Sequence, residues 1–313
     1  MNDNELVERL LSGNKRALAR VISRIEGEDA EVPDIISEIY SHTGEAVTVG
    51  FTGPPGVGKS SIIAMLIKLY RGEDKKVGIV SVDPSSPFTK GAILGDRIRL
   101  ADHFLDRDVF IRSMGSRGHL GGLAGASQLA GVAMEAYGMD VILYETVGVG
   151  QGEVEVASAA DTVVLCLQPG AGDSVQALKA GVMEIADIIC INKADHPQAK
   201  GTASEVRSIL EIGHELDPDA PMPPIVMTRG DNGEGVEELK QKIAEHREFL
   251  QESGRMKERH LASIKEFILS WTTNKMEKKL QERLSREDAE LMEKVRKREL
   301  DPISAAETLY KEV

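Results

Sequence analysis

Short apolar runs at about 46–51, 77–82, 108–112, 140–145, 161–167, 187–191 and 224–227 alternate along this chain with longer stretches whose apolar positions recur at helical spacing. Uninterrupted apolar runs belong to strands covered on both faces, so the alternation predicts an α/β fold built on a mainly parallel sheet with helices on each side. The flanks read differently. Val7, Leu10, Leu11, Leu18, Val21, Ile22 and Ile25 mark an amphipathic helical start, and Pro33-Asp34 opens a further short helix. After Gly235 the pattern is helical to the end, with an apolar stripe at Leu261, Ile264, Ile268 and Trp271, and with Asp301-Pro302 as a cap and first-turn proline. The expected organisation is an N-terminal helical extension over 1–45, an α/β domain over 46–235 and a C-terminal helical arm over 236–313.

Composition narrows the partners. The net charge is -13, and Asp+Glu outnumber Lys+Arg by 10 to 5 in residues 1–45, 22 to 16 in 46–230 and 19 to 17 in 231–313. No segment offers the basic stripe that tracks a nucleic acid. No apolar stretch approaches the length of a membrane span, and the acidic N-terminus lacks a basic, apolar leader, so a soluble cytoplasmic protein is expected. Cys166 and Cys190 both fall inside apolar runs and read as small buried hydrophobes. The seven histidines are scattered and no Cys-x-x-Cys is present, which disfavours a metal-delivery role.

The chemistry begins at Gly53-Pro-Pro-Gly56-Val57-Gly58-Lys59-Ser60, which matches G-x-x-x-x-G-K-[ST] at every fixed position between a strand and a helix. Glycines let successive backbone N–H groups converge on phosphates, Lys59 brings a charge to the terminal phosphates, and Ser60 offers a hydroxyl to Mg²⁺. Ser61 continues into a helix whose positive end faces the same phosphates. The fold class is therefore a P-loop NTPase. Asn192-Lys193-Ala194-Asp195 follows the run Ile188–Ile191, and a carboxylate there accepts from the N1–H and 2-amino groups of guanine, which adenine does not offer. GTP is expected over ATP, with GDP as product.

Asp140 to Gly148 gives a further strand ending in an acid, Glu145, followed by Gly148, whose backbone N–H stands where a γ-phosphate is sensed. Glu145 reaches the metal directly, reaches it through water, or orients the attacking water. Val149, not Gln, follows Gly148, so hydrolysis by the chain alone is expected to be slow. Asp83 ends the strand before Pro84, and Asp96 lies in Ile93-Leu-Gly-Asp96-Arg97. Each is a candidate Mg²⁺ ligand, and each taken alone also suits a cap or a turn.

The ordered set P-loop, VDPSSP, ILGDR, SRGHLGGL, ETVGVGQ, PGAGD and NKAD, from about Val47 to Asp195, resembles the methylmalonyl-CoA mutase-associated GTPases of the MeaB/ArgK family. The resemblance implies a G-protein chaperone that binds an adenosylcobalamin-dependent mutase, gates cofactor delivery with GTP and protects the radical enzyme. It assigns Lys59 and Ser60 to the phosphates and Mg²⁺, and Asp83, Asp96 and Glu145 to the acidic metal and switch set. Asn192, Lys193 and Asp195 read guanine, while Asp173, with Gln176 and Lys179, belongs to an additional switch loop. It also implies a homodimer through the C-terminal arm. Three positions depart from the family's pattern: Lys90 replaces a Gly, Gly152 replaces a Ser, and Thr228-Arg229-Gly230 stands in place of the Ser-Ala base loop. There the backbone N–H of Gly230 is assigned to guanine O6, a contact that needs no side chain. The rival readings are a small-molecule kinase or transport ATPase, for which no acceptor site is recognisable, and a metal-delivery GTPase.

Overall fold

The structure, a computed structural model, describes residues 3–83, 100–115, 120–146, 160–170, 185–216, 222–286 and 289–311. Three helices open the chain: α1 (Asp3–Leu11), α2 (Lys15–Gly27) and α3 (Val32–Ile39). Asn14 caps α2, its side-chain oxygen accepting from the N–H groups of Arg16 and Ala17 at 3.0 and 3.1 Å. The apolar stripes foreseen for this segment meet in one layer, with Leu6, Leu10, Leu18, Val21, Ile22, Ile35 and Ile39 buried.

Beyond them come β1 (Val47–Thr52), α4 (Lys59–Gly72), β2 (Val77–Asp83), β3 (Val109–Gly115), α5 (Leu120–Ala136) and β4 (Val141–Thr146). They are followed by β5 (Thr162–Leu167), β6 (Ile188–Ile191), α6 (Ala199–Leu216), β7 (Ile225–Met227) and α7 (Val236–Glu252). The strands form one seven-stranded sheet in the order β3-β2-β4-β1-β5-β6-β7, and every pairing is parallel. Every apolar run of the sequence becomes a strand, most shifted by one residue.

Continuous burial comes from the period of two. In β5 and β6, Val164, Cys166, Ile188 and Cys190 face one core, shared with Ile62, Ile63, Leu66 and Ile67 of α4 and with Leu239 and Ile243 of α7. Leu165, Leu167, Ile189 and Ile191 face the other, closed by Val206 of α6. Cys166 and Cys190 sit side by side in the parallel register and are fully buried. A hydrogen bond between them, with burial, pushes the Cys166 thiol up and away from thiolate chemistry.

The long helix α8 (Arg255–Arg286) begins at the amino edge of the sheet. Arg259 grips Asp187 with two nitrogens at 2.9 and 2.7 Å, and His260 Nε2 lies 2.8 Å from Asp161 Oδ1. Asp187 in turn accepts from the N–H of Val163 at 2.8 Å, so the root of the arm is fixed to the starts of β5 and β6.

The chain divides into two compact units, Met1–Ser263 and Ile264–Val313. The second holds the remainder of α8, then α9 (Ala289–Arg296) and α10 (Pro302–Lys311), whose first turn is capped by Asp301 accepting from Ile303 and Ser304 N–H, both at 3.0 Å. Along α8, Leu261, Ile264 and Ile268 are exposed within the single chain. Among the described residues no helix is long and apolar enough to cross a membrane.

Candidate functional site

The central strand β1 ends at Thr52, and the chain turns through Gly53–Gly58 into α4 at the carboxyl edge of the sheet, where ligands of open α/β folds collect. Two glycines are required by geometry. Gly53 has φ +132°, and a Cβ there would lie 2.1 Å from the Cys166 carbonyl oxygen; Gly58 has φ +97°, and its Cβ would lie 2.2 Å from Asn192 Nδ2. The loop is thus wedged between β5 and the segment after β6. Lys59 folds back over it and donates to the carbonyls of Gly53 at 2.5 Å and Pro54 at 3.0 Å. Val57 is buried behind the loop, while Ser61 donates its N–H to the Gly58 carbonyl at 3.1 Å and starts the first helical turn. A glycine turn, a helix N-terminus and a lysine ammonium in one place form an anion cradle.

Beside it, Ser60 Oγ donates to Glu145 Oε1 at 2.5 Å, and Ser81 Oγ donates to the other carboxylate oxygen at 3.4 Å. Parallel pairing explains the meeting, because Ser81 is in register with Glu145 and Val82 with Thr146 at the ends of β2 and β4. Ser60 and Glu145 are both buried. The hydroxyl and carboxylate oxygens that this pair offers are of the kind that suits a hard cation such as Mg²⁺. The backbone of Asp83 completes β2 next to this pair. Asp96, Gly148, Asp173, Gln176 and Lys179 lie outside the described residues.

Asn192 joins the two loops of the site. Its Nδ2 donates to the Val57 carbonyl at 2.7 Å, while Oδ1 accepts from the N–H of Gly230 at 2.9 Å and from Thr228 Oγ1 at 3.3 Å. The Gly230 donor assigned to guanine O6 is therefore engaged by Asn192 in this structure. Lys193 takes the left-handed conformation, φ +57°, which is uncommon outside glycine and concentrates at functional sites. Its ammonium donates to the Gly56 carbonyl at 3.1 Å and to Gln168 Oε1 at 2.5 Å, so its stem spans from the motif to the P-loop. Asp195 is exposed and faces Arg229, whose Nε lies 3.5 Å from Oδ1. Arg229 is also held by Asp231 at 2.9 Å and lies 3.8 Å from Glu234; the hydrogen bond to Asp231 raises its pKa further.

The structure thus brings Gly53, Gly56, Val57, Gly58, Lys59, Ser60, Ser61, Glu145, Asn192, Lys193, Asp195 and Gly230 to one edge of the sheet. Sequence reasoning missed Gln168, Ser81 and Thr228 as supports. The signal available for Gln168 was its position as the last residue before Pro169-Gly170. Thr228 was marked only as part of the segment in place of the base loop, and Ser81 carried no signal, because their partners are 36 and 64 residues away.

Fold and site together define a P-loop GTPase. The family model described as methylmalonyl Co-A mutase-associated GTPase MeaB matches residues 15–285. A Pyrococcus abyssi protein is 47% identical over 99% of this chain and 96% of its own length. The mitochondrial methylmalonic aciduria type A homolog of Caenorhabditis elegans is 30% identical, covering 99% of this chain and 82% of that one. Among solved structures, one described as a LAO/AO transport system kinase superposes with a TM-score of 0.69 over 99% of this chain and 98% of its own, at 24% identity, a likeness of fold. The chain belongs to the MeaB family of mutase-associated GTPases, and its activity is hydrolysis of GTP.

Proposed function

We propose that GTP binding and hydrolysis at this site gate cofactor delivery to, and protect, an adenosylcobalamin-dependent acyl-CoA mutase of the methylmalonyl-CoA mutase type. The observation that carries the reading is the family match across residues 15–285, and the name of the Caenorhabditis elegans relative points the same way. In this reading Lys59 swings from the carbonyls of Gly53 and Pro54 to the terminal phosphates, and the P-loop N–H groups with the start of α4 hold the rest. Mg²⁺ supplies charge neutralisation at the phosphates when bound. Ser60 and Glu145 would hold it, with Asp83 and Asp96 assigned by the resemblance. Asp195 reads the guanine edge, the Lys193 stem covers the base, and the Gly230 N–H is exchanged from Asn192 to guanine O6. Gly148, Asp173, Gln176 and Lys179 form the switches that report the partner. Two copies pair through the exposed α8 stripe, and the protein works in the cytoplasm.

The test is GTP turnover by the purified protein with and without a cobalamin-dependent acyl-CoA mutase. Turnover is expected to be slow alone and to rise on adding the mutase, and exchanging GDP for a non-hydrolysable GTP analogue should change mutase affinity by a coupling of about 1–3 kcal/mol. Unchanged turnover together with nucleotide-independent binding overturns the proposal.

A further inference from the structure

Arg229 belongs to the Thr228-Arg229-Gly230 segment that stands in place of the family's Ser-Ala loop, and its surroundings are unlike those of an ordinary surface arginine. Three carboxylates face its guanidinium: Asp195 through Nε, Asp231 at 2.9 Å and Glu234 at 3.8 Å. Its backbone is held as firmly, with Arg229 N–H donating to the Glu234 carbonyl and Gly233 N–H donating to the Arg229 carbonyl, each at 2.8 Å. The Nε–H is buried and, among the described residues, has no hydrogen-bond partner. At 3.5 Å the Asp195 oxygen is too far for a conventional bond and close enough to become one with a small closure of the loop.

The geometry points to Arg229 as a specificity-determining positioning residue that holds Asp195 from behind. The inference rests on the reading that Asp195 recognises guanine. A carboxylate offers about four lone-pair directions, two per oxygen, and guanine's N1–H and 2-amino groups take one on each. A donor on the remaining side of Oδ1 is compatible with the base and fixes the side chain that receives it. Asp195 needs this support because it is exposed and no other ion pair to it is found among the described residues. A freely rotating carboxylate would lose rotamer entropy on binding the base, whereas one that already faces a cation fixed by Asp231 has part of that freedom removed, and the closing of the 3.5 Å gap completes it. The same placement answers why the motif accepts arginine. One of its far nitrogens donates to Asp231 at 2.9 Å and the other faces Glu234 at 3.8 Å, both acids of its own loop, so the cation is anchored beside the pocket.

The test is a double-mutant cycle between Arg229→Ala and Asp195→Asn, read as dissociation constants for GDP and for xanthosine diphosphate by calorimetry. Asp195→Asn is expected to move preference from guanine to xanthine. Arg229→Ala is expected to weaken GDP about tenfold in the parent background, the scale of one lost hydrogen bond to a charged group, and to weaken xanthosine diphosphate by less in the Asp195→Asn background, where a neutral carboxamide oxygen takes the carboxylate's place. Arg229→Ser, which keeps a short hydrogen-bond donor, should lose less GDP affinity than alanine, and it carries the cycle should the alanine variant fold poorly. Equal weakening in both backgrounds shows that Arg229 only shapes its loop, and no weakening in either shows that Asp195 needs no support; both overturn the inference and leave guanine reading by Asp195 standing. Failure of Asp195→Asn to favour xanthine overturns that reading and the inference together.

Discussion

Asn192→Ala tests whether one side chain holds the phosphate loop and the base loop together. Asn192 is buried, and its carboxamide satisfies the Val57 carbonyl, the Gly230 N–H and the Thr228 hydroxyl. Removing it leaves two of the three stranded, because Thr228 Oγ1 keeps the Cys190 sulfur at 3.1 Å. A buried polar group deprived of its partner costs about 1–3 kcal/mol, giving about 2–6 kcal/mol for the pair. Water entering the vacated space offsets part of this, so about 3 kcal/mol is expected. At about 2–4 °C per kcal/mol for a unit of this size, melting should fall by about 6–12 °C. The measurement is thermal unfolding by circular dichroism in nucleotide-free buffer, which separates loop support from any contact with ligand. Asn192→Asp should recover at most the Gly230 share of the loss, since it keeps the acceptor but turns the donor toward the Val57 carbonyl into a charged oxygen. Melting of the alanine variant within about 2 °C of the parent would refute the bridging role.

Lys59→Ala should depress GTP turnover by about 3 kcal/mol of transition-state stabilisation, on the order of a hundredfold, while far-ultraviolet dichroism stays that of the parent; turnover within threefold of the parent argues against Lys59 as the phosphate contact. Glu145→Ala should raise the Mg²⁺ concentration needed for half-maximal turnover, and an unchanged Mg²⁺ dependence removes Glu145 from the metal set. At the amino edge, the hydrogen bond to Asp161 raises the pKa of His260 above its ordinary value. A raised folded pKa stabilises fully below the unfolded value, near 6.5, and that contribution is lost as pH rises through the folded value. The stability difference between parent and His260→Gln in urea should therefore be larger at pH 5.5 than at pH 8.5, and by less than about 1 kcal/mol because the His260 side chain is 49% exposed. Equal differences at the two pH values count against the pair. Burial lowers the pKa of neighbouring His246, which acts in the opposite direction, so the single substitution is compared and not the whole profile.

Much of the architecture was legible because it is governed by local periodicity. Seven apolar runs became seven parallel strands, and β5 shows why the pattern read as continuous: Val164 and Cys166 serve one core while Leu165 and Leu167 serve the other. The P-loop and Asn192–Asp195 were legible for a related reason. Backbone curvature and charge at phosphates, and an acceptor pair for guanine, need particular residues at fixed spacing within one short segment.

Strand order is what lay beyond the sequence. Placing β4 and β5 on either side of β1 brings Glu145 to Ser60 across 85 residues and Asn192 to Val57 across 135. The same ordering brings Gln168 to Lys193 and Arg229 to Asp195. Such contacts depend on which strands lie side by side, and hydrophobic periodicity is the same for any order of the strands. Local pattern was enough to read a parallel sheet with a nucleotide loop at its edge and a guanine-type motif further along. That Asn192 ties those two loops together and that an arginine stands beside the carboxylate of the motif follows instead from the packing of segments whose local patterns carry no record of each other.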